Sequence, residues 1–128
     1  MRAVQVHEFG APEVLRAAEA EDPIPEVVAV EAAGVIGGDT LVRSGSRPRP
    51  LPYASGMEVG GQGVVGALGV VWANPVTEKR AGVEGALKPA SSGELTPRIH
   101  RGRPPERADD AHADLEARRT IGAVLLHP

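Results

Sequence analysis

The chain has no cysteine, and that absence removes disulfide staples, thiolate zinc sites and thiol nucleophiles together. Aromatic residues are almost as scarce. Phe9, Tyr53 and Trp72 are the only three in 128 residues, so burial rests on Val, Leu and Ala, whose side chains offer less apolar area than a ring. No apolar run approaches the roughly 18 residues of a membrane-crossing helix, and the opening MRAVQVHEFG lacks the apolar stretch of a signal peptide. A soluble, cytoplasmic protein with no membrane partner is the expectation. Surplus basic charge is missing too. A net charge of -3 and a pI near 5.8 argue against nucleic acid as a partner, because such binding draws its affinity from neutralised phosphates.

What is present in quantity is glycine and proline, 16 and 12 residues. That share lies near the roughly 25–30% at which order is hard to maintain, so the chain is expected to be marginally stable. Its length suits one domain. Residues 3–6 and 14–17 are β-prone runs around a Phe9-Gly10-Ala11-Pro12 turn, which predicts an antiparallel start. Residues 27–33 supply a further strand. Asp39 is placed to cap a short helix through Arg43, with Gly45 to end it. Residues 58–72 mix Val with Gly in a way that suits two strands turning near Gly66, and 73–105 loses all periodicity and predicts loop or linker. Residues 106–119 form the best helical pattern, with Ala108, Ala111 and Leu115 on one face and acids ahead of bases along the macrodipole. Residues 121–126 follow as a strand.

Gly61-Gln62-Gly63-Val64-Val65-Gly66 spells GxGxxG. That fingerprint grips a pyrophosphate only when a helix begins inside it and points its amide protons at the charge. The β-branched and glycine-rich residues that follow are poor helix formers, and Pro75 arrives before a βαβ unit could be completed. Strands are the better reading.

MRAVQVHEFGAPEVLR, VEAAGV, DTLVRSG, LPYASGMEVGG and DLEARRTIGAVLLHP together resemble zinc-independent quinone oxidoreductases of the medium-chain dehydrogenase/reductase superfamily. The resemblance implies a mainly β fold with a C-terminal α-helix: a partial GroES-like β-barrel over 1–72, a linker over 73–105, and a helix and strand over 106–128 that return to the same barrel. It also implies that no complete Rossmann domain is present, since relatives carry one between the parts that match. By the same resemblance the parent activity is NADPH-dependent reduction of a small-molecule quinone or carbonyl substrate. Asp39 matches a catalytic-site position, and Thr40 and Arg43 match cofactor-binding positions. The family pattern GVNPxDTYxRSG reads GVIGGDTLVRSG here, so Ile36 and Leu41 replace the Asn and Tyr that would line the site. With no phosphate cradle, the expectation is a non-catalytic chain that binds no NADPH itself and self-associates through open barrel edges.

Other chemistries find no anchor. His7, His100, His112 and His127 lack the spacing that converges two imidazoles on one metal ion, and His112 reads as a solvated helix residue. The serines form no GxSxG elbow. Arg98, His100, Arg101, Arg103 and Arg107 make a basic cluster without aromatic residues for base stacking, the pattern of a solvated linker.

Overall fold

The computed structural model describes residues 2–20, 29–56, 58–62, 85 and 88–128. Strand β1 (Arg2–Val6) alternates its side chains, so that Val4 and Val6 are buried while Arg2 is exposed. A 3-10 turn at Pro12–Val14 reverses the chain into β2 (Leu15–Glu19), which pairs antiparallel with β1 from Arg2 opposite Glu19 to Val6 opposite Leu15. Proline at the head of that turn costs no hydrogen bond, since the first amide of a helix has no partner. Strand β3 (Ala29–Val35) leads directly into helix α1 (Gly37–Ser44), which Gly45 ends at φ 83° with its N–H on Val42 O. The short β4 (Tyr53–Ala54) completes a sheet of order β2-β1-β4.

Strand β5 (Glu58–Gln62) pairs antiparallel with β3 and opens a second sheet. Its other members come from the end of the chain: β6 (Ile99–Arg103), a 3-10 turn at Pro105–Arg107, helix α2 (Ala108–Glu116) and β7 (Ala123–Leu126). β7 is antiparallel to β3 and parallel to β6, giving the order β5-β3-β7-β6. The β6–α2–β7 passage is therefore a strand-helix-strand crossover, the connection that parallel neighbours require. Val4, Val6, Leu15, Val35, Ala108, Ala111, Val124 and Leu126 form one core, which joins both sheets and α2.

The molecule is thus a mixed strand-and-helix fold with two open sheets. The antiparallel start, the α1 helix and the α2 face of Ala108, Ala111 and Leu115 match the sequence expectation. Two local expectations need correction. Ile99–Arg103, read as linker, is a strand, because pairing with β7 supplies the order that its own pattern does not. His112, read as solvated, is 2% exposed, because it shares the buried α2 face with Ala108 and Ala111. Of the two strands expected over 58–72, Glu58–Gln62 is observed; the expected turn near Gly66 and the rest of GxGxxG lie outside the described residues.

Candidate functional site

Helix α1 begins without a polar side chain at its N-cap, which is Ile36. Asp39, at the third helical position, compensates from the other direction: its Oδ2 accepts the Ile36 N–H at 2.9 Å. This is the half of a capping box that the third residue supplies. The helix thus starts two residues before Asp39 rather than at it. Thr40 Oγ1 donates to Gly37 O at 2.9 Å, one turn back. Arg43 reaches away from solvent. Its guanidinium donates to Gly10 O and to the Glu116 carboxylate on α2, and its own carbonyl accepts the Gly10 N–H at 3.1 Å.

All three of these side chains are therefore held by the protein, with Asp39 and Arg43 each 2% exposed. Thr40 is buried with them. Leu41, where the related pattern carries Tyr, is instead 47% exposed on the outer side of the same helix. The α1 sequence splits by periodicity: residues 39, 40, 42 and 43 turn inward and 41 and 44 outward.

A small cavity of about 20 Å³ lies between β3, α1 and α2, lined by Val35, Asp39, Ser55, His112 and Leu126 among others. Burial pushes the Asp39 carboxyl above its usual range; the Ile36 N–H pulls it back, and the negative Glu58 pushes it up further. Burial lowers the His112 imidazole to about 4, assisted by the positive Arg43. Both shifts favour the neutral form. Asp39 Oδ1, Arg43 Nε and His112 Nδ1 are buried with no hydrogen-bond partner among the described residues, and each such orphan calls for an explanation.

Asp39, Thr40 and Arg43 are thus gathered on one helix face, as their spacing dictates, and the fold adds His112, Glu116 and Glu58 to them. The first two come from α2. Sequence alone missed both: the spacing of His112 from Ala108 and Ala111 could have placed it on the buried face, whereas Glu116 carried no signal, because only tertiary packing brings it to Arg43 across 73 residues of sequence. The basic cluster also resolves differently from its linear reading. Arg103 pairs with Asp110 and Asp114, Arg107 with Asp110, and His100 Nδ1 lies 3.4 Å from the Ile121 N–H, so these residues stitch β6 to α2 and β7. Among the described residues, no group of three or more His, Asp or Glu side chains is arranged to hold a metal ion, and no helix is long and apolar enough to cross a membrane.

No family model matches the chain. Among curated proteins it is 47% identical over 68 residues to the quinone oxidoreductase of Lama guanicoe, an alignment covering 48% of this chain and 21% of the relative. It is 45% identical over 76 residues to the quinone oxidoreductase of Homo sapiens, covering 54% and 22%. The chain thus spans about a fifth of the length of the curated relatives it matches. Among solved structures it resembles a native mycobacterial quinone oxidoreductase (TM-score 0.73, 17% identity, all of both chains covered). It also resembles a human synaptic vesicle membrane protein VAT-1 homolog-like protein (TM-score 0.75, 13% identity, 100% and 98% covered). A mycobacterial protein solved in complex with NADPH is similar as well (TM-score 0.69, 15% identity, all of both chains covered). At these identities the structural likeness speaks for the fold.

Proposed function

We propose, from the premise that this chain is a short relative of the quinone oxidoreductases of the medium-chain dehydrogenase/reductase superfamily, that it is a non-catalytic derivative of an NADPH-dependent, zinc-free parent. Its two sheets represent part of a GroES-like barrel, and it acts in the cytoplasm. The parent's substrate is a small-molecule quinone or carbonyl, and its cofactor is NADPH. In this reading Asp39 descends from a catalytic position and Thr40 and Arg43 from cofactor-binding positions.

The observation that carries the proposal is where those three side chains spend their hydrogen bonds. A nicotinamide site needs donors and acceptors aimed into a space large enough for the ring and its substrate, because the protein contributes position and electrostatics while the cofactor carries the hydride. Asp39 Oδ2 is committed to Ile36, Thr40 to Gly37, and Arg43 to Gly10 and Glu116. The cavity beside Asp39, about 20 Å³, is far below the roughly 300–1,000 Å³ of a small-molecule pocket. The described residues do not fit NADPH. What they do instead is structural: α1 acts as the peg that fastens α2 to the first sheet.

Titration of the full chain with NADPH, followed by the nucleotide's fluorescence and then by a simple quinone, tests this reading. The expected result is neither saturable binding nor nucleotide oxidation. Micromolar binding followed by quinone-dependent oxidation overturns it.

A second reading, an interaction module that self-associates, is favoured by β6, which is an edge of its sheet and carries Ile99 at 54% exposure. Sedimentation of the purified chain distinguishes it: association is expected to strengthen with concentration and to be lost in Ile99→Lys, whereas a monomer at all concentrations removes this reading.

A further inference from the structure

Asp39 on α1 and His112 on α2 line the same cavity, and each leaves one buried polar atom, Oδ1 and Nδ1, without a partner among the described residues. Both side chains are 2% exposed, so bulk solvent does not reach these atoms. A volume of about 20 Å³ exceeds the roughly 10–15 Å³ that one water needs and leaves no room for a larger guest. Asp39 Oδ2 already accepts from the Ile36 N–H, so Oδ1 is the carboxyl oxygen left over. A carboxyl oxygen accepts, a neutral imidazole carries one bare nitrogen acceptor, and a water has two O–H donors to offer them. The charged groups that act on the pair are Glu58 on β5, toward Asp39, and Arg43 on α1, toward His112, the latter already matched to Glu116 on α2.

We propose that this cavity is a one-water site, in which the water donates to Asp39 Oδ1 and to His112 Nδ1, so that α1 and α2 are joined by a hydrogen-bonded bridge. Asp39 is then a positioning residue: through the water it keeps His112 Nδ1 bare and the imidazole proton on Nε2. Nothing in this arrangement depends on the chain's having or lacking oxidoreductase activity.

Two measurements on the full chain test it. Long-range nitrogen–proton NMR spectra report which imidazole nitrogen is protonated. The expected result is a His112 ring protonated on Nε2 and bare at Nδ1. Asp39→Leu removes one of the water's two anchors and is expected to weaken that bias by about fivefold, the scale of one net hydrogen bond. Asp39→Asn keeps an acceptor for Ile36 and a polar atom for the water and is expected to restore it. A ring protonated on Nδ1 in the unsubstituted chain overturns the proposal, as does a bias identical in the Leu and Asn variants. If the Leu variant does not fold, a crystal structure of the unsubstituted chain decides. One solvent peak within about 2.6–3.2 Å of both atoms supports the site; a dry cavity, or direct contact between Asp39 and His112, overturns it.

Discussion

Helix α2 is fastened on two sides by arginines, and the two fastenings differ in kind. Toward α1, Arg43 is 2% exposed and depends on one carboxylate, Glu116, together with Gly10 O. Toward β6, Arg103 is 14% exposed and shares Asp110 and Asp114 with Arg107 and Arg119. The first link has a buried cation and a Glu116 side chain 39% exposed, with no second carboxylate on Arg43 among the described residues. The second is a redundant mesh in which losing one cation leaves the acids other partners in water or protein. Removing a buried side chain that fills space and donates hydrogen bonds costs far more than removing a more exposed cation, so the two arginines should respond differently to the same substitution.

The largest effect is expected at Arg43. Arg43→Ala opens a cavity at its buried stem and strands Gly10 O, and denaturant unfolding should show a loss of about 3–4 kcal/mol. Arg103→Ala should cost about 1 kcal/mol. Equal losses would mean that burial is not what separates the two links.

Acid titration sharpens the same contrast on the α1 side. His112 is lowered from 6.5 to about 4 in the folded chain, so between those values the unfolded chain takes up a proton that the folded chain refuses. Stability should fall as pH drops through this window, by about 3 kcal/mol in total. Asp39 opposes it: a raised carboxyl binds its proton more readily when folded, so its contribution is present at low pH and is lost as pH rises through the folded value. The unsubstituted chain should show the difference of the two slopes, Asp39→Asn the steeper His112 slope, and His112→Gln no loss from this source. Equilibrium unfolding at several pH values reads all three.

A smaller loss, about 2–3 kcal/mol, is expected for Gly122→Ala. Gly122 has φ 100°, and an added Cβ would lie 2.2 Å from the Arg98 carbonyl oxygen, in the turn that sets β7 beside β6. Amide exchange should quicken in 99–103 while β1 and β2 stay protected; uniform quickening would show that the two sides of α2 are a single cooperative unit. Smallest of all, Arg119→Ala should leave the melting temperature unchanged, since Arg103 remains on Asp114.

The sequence made the local parts of this molecule legible and the non-local ones opaque. Val4 and Val6 announce a half-buried strand by alternation, Gly45 a helix end by its freedom at positive φ, and Ala108, Ala111 and Leu115 a buried helical stripe. Ile99–Arg103 gives no such signal, because IHRGR has only one large apolar residue; its order is lent by β7. At the site, Asp39, Thr40 and Arg43 stand together only through the family pattern that DTLVRSG resembles. Their tasks could not be read from it, since the partners of Arg43 sit 33 residues before it and 73 after it in the chain. The assignment of Asp39 as the helix cap erred by three residues because Ile36, a residue with no capping atom, occupies the N-cap and borrows the carboxylate from inside the helix.

The pairing of β3 with β7 joins Ala33 to Leu126, a contact that spans about ninety residues and must be closed late, after shorter-range partners have met. On the ribosome, β3 emerges long before β7 is made, with one of its edges unclaimed throughout the interval. Newly made chains are therefore most vulnerable to sticking together, or to capture by a chaperone, during synthesis rather than once complete.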